Sequence, residues 1–86
     1  MIKVNDIYYN KAPNGMENII YIIGIGNNTS DSYISFAKID ILTCESRILK
    51  KYEFNNIFRT LKLLGNEVVE PMEIMNLTDK YAEYFI

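Results

Sequence analysis

The first half of the chain contains short segments rich in β-branched and aromatic residues, and apolar and polar residues alternate along one of them, 32–42, in the way that is typical of a β-strand. Residues 2–9, 18–26 and 32–42 predict three strands, each bounded by polar or turn-forming residues. Asn14-Gly15 lies between the first two, and this dipeptide favours the tight turn of a β-hairpin. The pattern therefore predicts an antiparallel sheet that begins as a three-stranded meander.

The predicted strand 18–26 is apolar on both of its faces. We expect one face to carry Ile19, Tyr21, Ile23 and Ile25, and the other to carry Ile20 and Ile22. Such a strand lies in the centre of a sheet and needs cover on both sides. One helical layer covers one face, and the other requires the C-terminal helix or a second copy of the chain. We therefore predict a homodimer.

The apolar period changes in the second half of the chain. Phe54, Ile57, Phe58, Leu61 and Leu64 have the spacing of one helical stripe, which predicts a helix over 51–64 with Gly65 as its C-cap. Residues 45–50 fit either a fourth strand or the first helical turn. A second helix is predicted to begin at Pro71, and an interruption at Asn76 or Thr78 stays open.

The predicted fold class is α+β, in a single domain over residues 1–86. It has a three- to four-stranded antiparallel sheet followed by one or two C-terminal helices. An apolar share of 49% fits a globular domain. The opening Val4-Asn5-Asp6-Ile7-Tyr8 resembles the first strand of small phage SH3-like barrels, and such a barrel is the alternative. The helix predicted over 51–64 departs from that pattern.

The composition argues against an enzyme. The chain has no histidine and a single cysteine, Cys44, so it lacks the residues for imidazole catalysis, a zinc finger or a CxxC redox pair. We predict no catalytic residues, no metal and no cofactor. No apolar run is long enough to span a bilayer, so no membrane partner is expected. Ile, Asn, Lys and Tyr make up 38 of 86 residues, a bias typical of AT-rich genomes, and a lone cysteine fits the cytoplasm of a bacterial host.

The charges divide into two candidate surfaces. Residues 66–86 contain an acidic set, which suits a partner's basic groove: Glu67, Glu70, Glu73, Asp79 and Glu83. Residues 47–62 contain a basic set, which suits phosphates: Arg47, Lys50, Lys51, Asn55, Arg59 and Lys62. On the predicted helix, Asn55, Arg59 and Lys62 would share the face opposite the apolar stripe.

By its size, composition, lack of enzyme motifs and mixed sheet–helix pattern, the chain resembles small phage or mobile-element inhibitor proteins of the anti-CRISPR and anti-defence type. The resemblance implies a non-enzymatic protein-binding module that inhibits a host or defence protein, whose identity it does not give. It assigns no residue roles. Two alternatives stay open: a small nucleic-acid-binding protein using residues 47–62, and a ligand-binding homo-oligomer.

Overall fold

The structure is a computed structural model, which describes residues 1–27 and 31–85. The predicted loop at 26–31 falls partly outside these residues. The described strands are β1 (Asp6–Lys11), β2 (Glu17–Asn27), β3 (Ser32–Ile39), β4 (Cys44–Lys50) and β5 (Leu61–Asn66). They form one antiparallel sheet in the order β4-β3-β2-β1-β5. The helices are α1 (Lys51–Ile57) and α2 (Leu77–Lys80), with 3₁₀ helices at Pro71–Asn76 and Ala82–Tyr84.

The α+β class is confirmed, with more sheet and less helix than the sequence predicts. The described sheet has five strands rather than three or four. The open question at 45–50 is answered by β4, which is a strand. β4 and β5 lie at opposite edges of the sheet, with no pairing between them among the described residues. An SH3-like barrel stays a prediction.

The first hairpin forms where Asn14-Gly15 predicts it. Gly15 adopts a positive φ of 88°, which glycine reaches without the strain that a Cβ atom would cause. The Asn14 side chain accepts a hydrogen bond from the Met16 amide at 3.0 Å. The turn thereby sets the register in which Ile7 lies opposite Tyr21.

β2 is the central strand, as predicted, but its alternation breaks near its end. Ile19 and Tyr21 face one side, and Ile20 and Ile22 face the other. The pairing with β3 shifts between Ile22 and Gly24, and such a bulge reverses the faces of all later residues. Ile25 consequently pairs with Ile34, on the face opposite to the one predicted.

The prediction of a helix over 51–64 is wrong beyond Ile57. α1 is seven residues long, and the Glu53 carboxylate accepts a hydrogen bond from the Lys50 amide at its start. Beyond the helix, the chain becomes extended and joins β1 as β5. Gly65 is therefore not a helix C-cap. It is a residue of β5 and lies opposite Ile7 of β1.

Each face of the sheet has its own cover. Phe54 and Phe58 of the α1 region pack on Phe36, with ring centroids 5.0 and 5.4 Å away. The opposite face is covered by the C-terminal segment, in which Leu77 is buried and Ile74 is partly buried. Because one copy covers both faces of β2, the reason for predicting a homodimer disappears, and the dimer itself stays a prediction.

Hydrogen bonds hold the covering segments in place. The Tyr21 hydroxyl donates to Asn5 Oδ1 at 2.9 Å and accepts from the Val69 amide at 3.0 Å. These contacts join the N-terminal residues and the C-terminal segment to the central strand. Within residues 1–27 and 31–85, no helix has the length and apolar character needed to cross a membrane.

Candidate functional site

The basic set does not form one face. Because α1 ends at Ile57, only Asn55 of the predicted helical line Asn55, Arg59 and Lys62 lies on a helix. Arg47 is on β4 and Lys62 is on β5, at opposite edges of the sheet. The prediction that Asn55, Arg59 and Lys62 share one helical face is therefore wrong, because the helix ends before Arg59.

The structure does bring some of the basic residues together around the start of α1. Lys51 and Asn55 line a surface depression of about 290 Å³ with Asp31, Ser32 and Tyr52. Lys50 Nζ lies 3.9 Å from Asp31 Oδ2. Arg59 donates from Nε to the Asn56 carbonyl at 3.2 Å, and Lys62 lies 5.0 Å above the ring of Tyr84. The cationic surface near α1 is therefore smaller than the sequence predicts.

The acidic set is divided in a similar way. Glu67, Glu70 and Glu73 line a depression of about 340 Å³, together with Lys80. The Lys80 ammonium forms an ion pair with Glu67, and the hydrogen bond between them raises the pKa of Lys80. Asp79 and Glu83 are exposed but do not line this depression. Three of the five carboxylates therefore lie together, partly neutralised by one lysine.

Sequence reasoning missed a third surface, the turn between β3 and β4. The predicted strand 32–42 ends at Ile39, and Asp40 begins a turn instead. Its Oδ1 accepts hydrogen bonds from the Leu42 and Thr43 amides at 2.8 and 2.6 Å. The amides of Thr43 and Leu42 lower the pKa of Asp40. The turn is thus held by an ionised side chain.

This turn exposes two large aliphatic side chains. Ile41 is 77% exposed and Leu42 is 90% exposed. They border a depression of about 350 Å³, which Met16 and Phe85 also line. Met75 lines a second, smaller depression at the same turn. We call Met16, Ile41, Leu42, Met75 and Phe85 the apolar patch.

Two carboxylates border the apolar patch. Glu17 and Asp40 line the same depression as Ile41 and Leu42. Glu17 accepts a hydrogen bond of 2.5 Å from the Tyr9 hydroxyl, which raises the pKa of Tyr9 to about 12. Neither carboxylate forms an ion pair with a lysine or arginine among the described residues. The rim of the patch is therefore negatively charged.

A signal for the patch is present in the sequence. Ile41 and Leu42 are adjacent apolar residues, and this interrupts the alternation of the preceding strand. Asp40 immediately before them is a residue that favours turn initiation. Together these features indicate an apolar turn rather than the end of a strand.

Within residues 1–27 and 31–85, no group of three or more His, Cys, Asp or Glu residues has an arrangement that could hold a metal ion. The buried Asp6 carboxylate is occupied by hydrogen bonds from the Tyr8 hydroxyl and Asn66 Nδ2, at 2.6 and 2.8 Å. The hydrogen bond from Asn66 joins β5 to β1, so the role of Asp6 is structural.

Comparison with known proteins yields no relative: no protein-family model, curated protein or solved structure matches the chain.

Proposed function

We propose that this chain is a non-enzymatic protein-binding module of the phage or mobile-element inhibitor type. It acts in the cytoplasm of a bacterial host and captures a host or defence protein through the apolar patch. The observation that carries the proposal is the turn at Asp40, which holds Ile41 and Leu42 in solvent. Large exposed apolar groups that share one surface are typical of protein contact sites.

The composition of the patch favours contact with another protein. Met16 and Met75 flank the turn, and their flexible thioether side chains adapt to irregular apolar surfaces. Ile41 and Leu42 add the largest exposed aliphatic side chains of the patch. Burying both side chains in a partner's pocket would contribute roughly 1.5–3 kcal/mol each.

The charge around the patch specifies the chemistry of the partner. Glu17 and Asp40 place carboxylates beside the apolar groups. The 3₁₀ helix Pro71–Asn76 brings Met75 to the patch and Glu73 to the acidic depression. The partner that fits this surface presents an apolar pocket or ridge with lysine or arginine next to it.

The test is affinity capture from bacterial lysate with matched variants. The double substitution Ile41→Ser with Leu42→Ser removes the exposed turn side chains. Its control, Ile57→Ser with Leu63→Ser, makes the same chemical change at two other exposed positions on α1 and β5. We expect the control to retain a specific partner and the turn variant to lose it. Equal capture by both variants would overturn the assignment to this patch.

A second candidate function is the binding of single-stranded nucleic acid near the start of α1. Tyr52 is exposed and lines one depression with Lys51 and Asn55, which places a stacking ring beside a cation and an amide. A salt-dependent gel shift separates the two functions. We expect no shift at physiological salt, and a Tyr52-dependent shift would favour this second function.

A further inference from the structure

The outer edge of β4 is an open strand. β4 pairs with β3 without interruption, from Lys50 opposite Tyr33 to Cys44 opposite Ile39. On its other side no strand pairs with it among the described residues, and residues 44–48 are all exposed. The outward-pointing amides and carbonyls of an edge strand are a template for pairing with another chain.

The opposite edge of the sheet is less regular. The pairing of β5 with β1 shifts between Ile7 and Tyr8, so β5 contains a bulge at Leu64. Bulges bend a strand and interrupt further pairing. Of the two edges, β4 is therefore the one suited to receive an additional strand.

We propose that β4 pairs antiparallel with β4 of a second copy, with Ser46 at the two-fold axis. In this register Glu45 of each copy lies opposite Arg47 of the other. Both side chains are on the α1 face, because their partners on β3 are Lys38 and Phe36. The interface therefore gains two opposite-charge pairs at directly opposed positions, which stabilise an antiparallel ladder.

The charged groups are available for these contacts. Arg47 is exposed and forms no hydrogen bond or ion pair with another described residue. Glu45 Oε1 lies 3.5 Å from Lys38 Nζ, but the Glu45 side chain is 53% exposed. Its second oxygen can therefore accept from an arginine of the other copy.

The other registers are less favourable. Because the bonding groups of a strand alternate in direction, a symmetric antiparallel pair must place one residue opposite its own copy. With the axis at Arg47, the two copies of Arg47 lie opposite each other, and with the axis at Glu45, the two copies of Glu45 do so. An axis at Ile48 places Arg47 opposite Leu49. Only the axis at Ser46 gives both charges an opposite partner.

This pairing replaces the earlier reason for a homodimer, because it uses a strand edge rather than a sheet face. It rests on β4 alone and is independent of the proposed function. One strand from each copy makes a small interface, so we expect a dissociation constant on the order of 100 µM. Light scattering at millimolar concentration should approach about 20 kDa, twice the monomer mass of 10.0 kDa.

The register is tested by site-specific cross-linking. In a Cys44→Ser background, Ser46→Cys places two thiols across the axis, where a short bis-maleimide can join them. The control carries Leu63→Cys on β5 in the same background. We expect at least a tenfold faster cross-link at position 46. Equal rates at the two positions would overturn the proposal.

A charge swap between positions 45 and 47 provides a second test of the register. Adding Arg47→Glu to the Ser46→Cys protein opposes carboxylates in the dimer, and we expect several-fold slower cross-linking. Adding Glu45→Arg as well restores opposite charges across the axis and should restore the rate. The same change removes the contact with Lys38, a surface ion pair in which the two side chains are 28% and 53% exposed, and such pairs contribute little to stability. If Arg47→Glu has no effect, or if the double swap does not rescue it, the register is wrong.

Discussion

The carboxylate of Asp40 accepts a hydrogen bond from the backbone amide of Leu42, at 2.8 Å. This local bond ends β3 and holds Leu42 in solvent, where the side chain is 90% exposed. One ionised side chain thus holds the turn in the shape that leaves Ile41 and Leu42 in solvent.

Asp40→Ala should weaken both stability and partner binding. Loss of the turn hydrogen bonds should lower the free energy of unfolding by about 1 kcal/mol, as for a helix cap. Asp40→Asn retains an acceptor oxygen and should cost less. Urea denaturation of the three proteins measures the difference, and an Asp40→Ala protein as stable as the wild type would contradict this role.

The contribution of Asp40 should depend on pH in the acid range. The amides of Thr43 and Leu42 lower its pKa below the ordinary value of 3.8, so the folded protein holds the charged form more strongly. The stabilisation is therefore complete above the unfolded pKa and is lost as the pH falls through the folded pKa. The difference in the free energy of unfolding between the wild type and Asp40→Ala should therefore become smaller as the pH falls from about 5 to about 2. Asp6 is present in both proteins, so its titration does not affect the difference between them. A difference in stability that stays constant over this pH range would contradict the account.

Two neighbouring residues test the end of α1. Phe58 is buried against Phe36 and Phe54, so Phe58→Ala should destabilise by roughly 3–5 kcal/mol. Ile57 is 56% exposed, and Ile57→Ala should cost less than about 1 kcal/mol. If thermal or urea denaturation shows similar losses for both, the continuous helix predicted from the sequence would be favoured instead.

Part of this fold could be predicted from the sequence, and the wrong prediction of helix at 58–64 has a physical reason. Phe54 and Phe58 have helical spacing and are both buried, so the pattern predicts their inward orientation correctly. Leu61 and Leu64 continue that spacing but belong to a strand. What holds the strand is distant in sequence: Asn66 donates to Asp6 at 2.8 Å. A local apolar period does not contain that information.

The candidate surfaces show the same limit. The acidic and basic sets are clusters in the sequence, but residues next to each other in a chain reach different faces of a sheet. The helical line that would unite Asn55 with Lys62 ends at Ile57. The apolar patch, in contrast, unites residues from three distant segments, such as Met16, Leu42 and Phe85. Only its central turn has a local sequence signal.

Tyr21→Phe tests how the C-terminal segment is anchored. Removing the hydroxyl leaves the Val69 amide and the Asn5 side chain without this partner, which should cost about 1–2 kcal/mol. Amide hydrogen exchange should accelerate most at residues 67–70. Tyr33→Phe is the control, because the Tyr33 hydroxyl makes no hydrogen bond with a described residue. Equal effects of both changes would contradict the anchoring role.

Charge reversal separates the acidic set from the apolar patch. Glu70→Lys with Glu73→Lys changes two exposed residues and should leave the fold intact. If the acidic set only steers the partner, this variant should slow association several-fold and change dissociation little. Kinetic binding to the captured partner provides the measurement. Complete loss of binding would make the acidic set the primary site, as predicted from the sequence alone.

The most direct test of the central claim is photo-cross-linking from the turn inside bacterial cells. A photoreactive amino acid replaces Leu42 in one protein and Ile57 in another, and the adducts are identified by mass spectrometry. We predict one dominant partner adduct at position 42 that excess unlabelled wild-type protein removes, and no such adduct at position 57. Identical adducts at both positions, or none at position 42 that the wild type competes away, would contradict the claim that the Asp40 turn presents a protein-binding surface.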